Sequence, residues 1–212
     1  MKEKIIHYLL PLRHLELGAN MNNVFGSAYG TATVLTQAFL FNGMDRLGIA
    51  QYLSRIGLSL DGNSGDSLNV AKEYWMSDPA WQGARRYIEN TLALKDWFEV
   101  FVAQDVVLDT LIYDLMYNQF DRAITAAGGS DLAMLIEFMQ EWHKDNSRWV
   151  DATLKTTIAE SDHNRKLIGG WVADWQEKAV ADLAPLAEIA VGENAVNECV
   201  EVLNKRLAKA GL

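Results

Sequence analysis

The sequence predicts an all-α fold on three observations. Only three prolines, Pro11, Pro79 and Pro185, stand in 212 residues, which leaves long stretches free of the residue that breaks helix interiors. Apolar residues recur at steps of three and four in successive segments. No run alternates at a period of two between hairpin turns. Long helices joined by short Gly, Ser and Asp turns make a helical bundle, expected as a single domain over residues 1–212 with no repeat or linker.

The first helix is expected over residues 4 to about 26, with Ile5, Leu9, Leu12, Leu15 and Ala19 on one face. Gly26, Ser27 and Gly30 punctuate it. A second, over about 31–56, carries Leu35, Phe39, Leu47 and Tyr52, although Gly43 and Gly48 are poor helix formers. Residues 60–66 read as an exposed loop from their Asp, Gly, Asn and Ser content. A short helix over 68–76 leads to Asp78, a candidate N-cap with Pro79 at the first helical position.

A third long element is expected to begin there and reach about Ala127, with Trp97, Phe101, Gln104, Leu108, Leu111 and Leu115 in one stripe. Gly128, Gly129 and Ser130 close it. The fourth helix, about 131–159, has the stripe Leu132, Ile136, Met139, His143 and Val150. Ser161 or Asp162 caps a fifth, whose buried face is Leu167, Ile168, Trp171, Val172 and Trp175. After Gly192 comes a last amphipathic helix with Val196, Val200, Leu203 and Leu207 on one side.

Composition excludes several functions. The net charge is −9, from 19 Lys and Arg against 28 Asp and Glu, and no basic run supplies the phosphate-neutralising stripe of a nucleic-acid binder. The most apolar stretch near the start, residues 5–12, is too short to span a bilayer, contains His7 and lacks a signal-cleavage site. A lone Cys199 excludes a disulfide framework and a cysteine-built zinc or iron–sulfur site, and it fits a reducing cytoplasm.

A bundle of long helices raises the question of a diiron carboxylate site, in which two helices each give a Glu and two others each give Glu-x-x-His. The sequence holds one such pair, Glu160 and His163, but the turn residues Ser161 and Asp162 lie between them. That spacing reads better as a helix start. His143 is preceded at three residues by Gln140, whose neutral amide lacks the charge a hard iron pair requires. A hydrogen-bonded core histidine beside Trp142 is the preferred account of His143. The loop from Asp61 to Asp66 starts like a calcium loop, yet its Gly falls one place early and Lys72 stands where a bidentate Glu is needed. No phosphate loop, dinucleotide fingerprint or nucleophile elbow is present. Trp75 and Trp81, flanking Pro79 outside the main stripes, suit either a protein contact or the packing of one end of the bundle.

The segment Leu10-Pro11-Leu12-Arg13-His14-Leu15-Glu16-Leu17-Gly18-Ala19-Asn20-Met21-Asn22-Asn23 closely resembles the start of the helical core in the β (smaller) hydroxylase subunits of bacterial multicomponent monooxygenases. Within that group the phenol hydroxylase oxygenase component is the nearest in likeness. Met44-Asp45-Arg46-Leu47-Gly48, Lys95-Asp96-Trp97-Phe98-Glu99 and Arg148-Trp149-Val150-Asp151-Ala152 carry the resemblance further along the chain. It implies a ferritin-like (ribonucleotide-reductase-like) fold and a hydroxylase of composition (αβγ)2. It also implies a diiron centre in the α subunit, an effector protein and a reductase, and conversion of phenol to catechol with O₂ and NADH.

The β subunit resembles α in fold without its ligands, so neither a catalytic residue nor a cofactor is expected on this chain. Carried over residue by residue, the first-helix Glu falls at or near Ala19 and the second-helix Glu-x-x-His on Asp45 and Gly48. The third-helix Glu falls near Gln104 or Asp105, and the fourth-helix pair on Gln140 and His143. Family β chains carry a longer N-terminal arm that wraps α, and this sequence begins almost at the bundle. Two alternatives stand beside this reading. One is a stand-alone diiron oxidase or metal-storage bundle using His143, Glu160 and His163; the other is the same subunit role in a toluene or alkane monooxygenase.

Overall fold

The computed structural model describes the backbone of residues 1–212 and the side chains of all but residues 130–133. Among the described residues every regular element is helical. The chain divides into two compact units, Met1–Trp97 and Phe98–Leu212. No helix among the described residues is long and apolar enough to cross a membrane.

In the first unit, α1 (residues 2–9) is one α-turn running into a π-helical segment, Ile5–Leu9. Helix α2 (Leu12–Tyr29) and helix α3 (Thr33–Leu60) are joined by only three residues, so they lie antiparallel as a hairpin. Gly26 makes their close approach possible, because a Cβ there would meet the Phe39 ring at 2.8 Å. The predicted inward residues of the first segment, Ile5, Leu9, Leu12, Leu15 and Ala19, are all buried. Of the apolar residues that mark α3 in the sequence, Phe39 is inward and Leu47 is not. The inward face of α3 is Phe39, Asn42, Arg46, Ile49, Leu53 and Ile56. Two polar positions inside this face hid it from a count of apolar spacings.

The loop before α4 (Asp66–Ser77) turns on Gly62, Asn63 and Gly65 at positive φ. Helix α5 (Pro79–Thr91) starts as the sequence predicts, with Asp78 Oδ1 accepting from the Ala80 N–H at 2.8 Å. The long element expected from Pro79 to Ala127 is interrupted at residues 92–96. The Thr91 hydroxyl donates to the Ile88 carbonyl at 2.7 Å, a back-bond of the type that bends helices.

Helix α6 (residues 97–126), all but its first residue in the second unit, alternates α-segments with two π-helical segments, Val102–Leu108 and Asp114–Gln119. From residue 100 to 113 every side chain is buried, so α6 is a central helix rather than a striped one. Around it pack α7 (Ser130–Glu160), α8 (Asp162–Ala190) and α9 (Ala195–Ala210). Of the α7 stripe, Ile136, Met139 and Val150 are buried, and Leu132 lies outside the described side chains. Ile168, Val172 and Trp175 form the inner face of α8, but Leu167 is exposed. Arg206 on α9 fastens three helices: its Nε donates to Asp151 of α7 at 2.5 Å and its Nη1 to Thr110 of α6 at 2.6 Å.

Candidate functional site

The hairpin of α2 and α3 holds an unusual share of buried polar groups. Arg46 Nη1 donates to Glu16 Oε2 at 3.0 Å, with side-chain exposures of 0% and 1%. Further along, Asn42 donates to Asn23 Oδ1 at 2.8 Å, and Asn23 donates to the Ala19 carbonyl at 3.0 Å. Asn20 reaches the Gly43 carbonyl at 2.7 Å, and Asn22 donates to the Thr91 hydroxyl at 2.8 Å, tying the layer to α5. Burial makes such groups costly unless they are paired, and here geometry pairs them. Apolar spacing alone did not find this layer. The available signal was that Glu16 and Asn23 continue the face of Leu12, Leu15 and Ala19 at steps of three and four.

The structure places the first three carried-over positions on two sides of this layer. Ala19 is fully buried, while Asp45 and Gly48 lie on the exposed side of α3. They share one helix face with each other but do not converge with Ala19. A methyl group and a bare glycine offer no metal donor in any case.

In the second unit, Gln104 and Asp105 are buried on α6, and Gln104 Nε2 donates to Asp109 Oδ1 at 2.8 Å. A five-residue spacing meets on one side only because the segment is π-helical. The same device pairs Gln119 with Asp114 at 2.8 Å in the second π segment. Gln140 on α7 donates to the Tyr117 carbonyl of α6. His143 is half-buried and stacks on Tyr113 with centroids 4.5 Å apart, and Tyr113 also meets Trp142 at 5.6 Å. Both carried-over residues of α7 therefore face α6, Gln140 through a hydrogen bond from its side-chain amide and His143 through an aromatic stack.

Glu160 ends α7 and His163 sits in the first turn of α8. Between them Ser161 Oγ accepts from the Asn164 N–H at 3.1 Å, and Glu160 accepts from the Asn164 side chain at 3.1 Å. The pair straddles a helix break, in keeping with the helix-start reading. In the loop before α4, Asp61 Oδ2 accepts from the Ser67 N–H at 2.9 Å, and this bond holds its carboxyl below the usual range. Asp61 caps a helix. Among the described residues no three His, Cys, Asp or Glu side chains form a metal-holding group.

The two readings of Trp75 and Trp81 are separated by burial. Their exposures are 8% and 0%, and their rings pack 5.9 Å apart. Trp81 Nε1 donates to the His7 carbonyl at 2.9 Å, and Trp75 stacks on His14 at 5.8 Å. They pack the inside of the first unit and offer no surface. His7 Nε2 lies 2.7 Å from Asp78 Oδ2, with its ring between Tyr8 and Tyr74 at 4.3 and 4.0 Å. This clasp holds α1 to the start of α5.

Comparison with known proteins identifies the arrangement. Residues 1–161 match the family model of methane/phenol/alkene hydroxylases. The whole chain is 49% identical to the phenol 2-monooxygenase oxygenase component DmpL of Pseudomonas sp. strain CF600, of which it spans 64%. The beta subunit of the toluene-4-monooxygenase hydroxylase component of Ectopseudomonas mendocina is 25% identical over 80% of this chain and 52% of its own. Among solved structures, phenol hydroxylase from Pseudomonas sp. OX1 superimposes with a TM-score of 0.96 at 43% identity, over 98% of this chain and 63% of that one. The chain thus spans just under two thirds of these phenol-type relatives. Its fold is the ferritin-like helical bundle of these hydroxylases. The chain belongs to the methane/phenol/alkene hydroxylase family.

Proposed function

We propose that this chain is a non-catalytic structural subunit of a multicomponent diiron monooxygenase of the phenol-hydroxylizing type. One observation carries the reading. In the α2–α3 hairpin, where the family resemblance sets the first ligands, the interior holds an Arg46–Glu16 ion pair and an Asn23–Asn42 amide pair. A guanidinium and two amides do not suit a carboxylate-bridged iron pair, and Ala19 and Gly48 offer no donor. The residues present do not fit a diiron centre.

On this reading the larger α subunit houses the metal centre and supplies the oxygen chemistry, while this chain buttresses it within an (αβγ)2 assembly served by an effector protein and a reductase. Higher identity to the phenol-type component than to the toluene-type subunit favours phenol as the substrate of the complex. Co-purification with α, followed by size-exclusion chromatography, tests the role. A stable complex whose hydroxylase activity needs this chain supports it, and an α subunit fully active alone contradicts it.

A further inference from the structure

Helix α8 carries two adjacent glycines in its interior, Gly169 and Gly170, although each costs a helix about 1 kcal/mol relative to alanine. Nothing within the chain requires the second of them. A Cβ at Gly170 would meet no atom within 4 Å. The residue lies on the outer side of the helix, opposite the buried Ile168, Val172 and Trp175. Around it the surface is concave, a shallow hollow of about 490 Å³ lined by His163, Lys166, Leu167, Gly170, Trp171 and Asp174. Leu167 is 43% exposed there. A glycine that the chain's own packing leaves free lets a second backbone approach closely.

The charges on this face are ordered about the same glycine. His163 and Lys166 precede Gly170 by seven and four residues, and Asp174 and Glu177 follow it by four and seven. Steps of three and four keep all of them on one side of the helix. The four side chains are exposed, and among the described residues none of them is ion-paired within the chain. An antiparallel copy of the helix crossing at Gly170 reads the pattern in reverse. Lys166 then faces the second copy's Asp174, His163 faces its Glu177, and twofold symmetry makes each contact twice. The helical period sets Leu167 and Trp171 on one flank of this line, so the two copies bring these apolar side chains together beside the axis.

We propose that the outer face of α8 is a self-docking surface, on which a second copy of this chain packs antiparallel about a twofold axis at Gly170. Two observations select a second copy over a different partner. The charge order is complementary to its own reverse, as an isologous contact requires. The glycine stands at the centre of that symmetry, where the two backbones come nearest. A contact confined to one helix face is smaller than the ~800 Å² per partner of a stable interface, so the isolated chain is a weak dimer, with a dissociation constant on the order of 100 μM. This surface goes beyond the subunit role proposed above and requires only this chain.

Sedimentation equilibrium of the chain up to about 1 mM, well above that constant, tests the proposal. Lys166→Glu sets like charges together at both symmetry-related places and weakens the dimer at least about 10-fold. Lys166→Glu combined with Asp174→Lys restores both pairs and returns the affinity to within about threefold of wild type. Thermal unfolding midpoints stay within a few degrees of wild type, since both positions are exposed. Gly170→Cys joins two chains by a disulfide under mild oxidation, whereas the wild-type chain, whose Cys199 is buried, does not. A wild-type chain that stays monomeric at about 1 mM, a charge swap that recovers nothing, or a Gly170→Cys chain that forms no disulfide overturns the self-docking surface. Each leaves the subunit role standing, which binding to the larger subunit tests separately.

Discussion

Replacing Arg46 by Met takes away the guanidinium against which Glu16 is buried, 3.0 Å away. Removing one partner of a buried ion pair costs about 3–5 kcal/mol, and replacing both by apolar groups costs far less. Urea unfolding of Arg46→Met is accordingly expected to show the larger loss, with Glu16→Leu/Arg46→Met recovering most of it. Equal losses in the single and double variants contradict a pairing role. His14 supplies a pH signature at the same scale. Burial, assisted by Arg13 and Lys72, pushes its imidazole down to about 4 from the ordinary 6.5. As pH falls, the unfolded chain takes the proton first. The contribution of neutral His14 is therefore fully present above about pH 6.5 and is lost as pH drops toward 4. A His14→Gln chain should show a flatter decline of unfolding midpoint between those pH values; an unchanged decline removes His14 from the account.

At the scale of elements, Asp78 joins two helices by capping α5 through the Ala80 N–H and meeting His7 of α1. Asp78→Ala should cost about 1–2 kcal/mol of unfolding free energy, and Asp78→Asn, which keeps a cap acceptor, distinctly less. Comparable losses for the two substitutions remove the cap from the explanation. This start was legible in the sequence because Asp followed by Pro carries its own local chemistry. So was the break at Ser161, which caps α8 by its side chain. The inner face of α3 was not legible, since Asn42 and Arg46 stand inside and Leu47 outside, the reverse of what hydrophobic spacing assumes. Nor was α6: burial all round leaves no stripe, and its π segments pair Gln104 with Asp109 at a step of five that a helical period of 3.6 does not anticipate.

For the whole molecule, residue chemistry alone reached the all-α class and found no active site. The proposed subunit role required the resemblance of residues 10–23, because the sequence holds no motif of reaction chemistry to read. The carried-over positions illustrate that limit. Ala19 is interior, Asp45 and Gly48 are outward, and Gln140 and His143 are held against α6. Those interior residues bond or pack within their own unit, and on the reading proposed above the role of this chain lies in assembly rather than in chemistry. The most direct measurement of that claim is the iron content of the purified chain after anaerobic incubation with ferrous iron and removal of the excess. Iron far below one atom per chain with the helical fold intact is the expected result; about two tightly held irons per chain, as a carboxylate-bridged pair requires, overturns the non-catalytic reading.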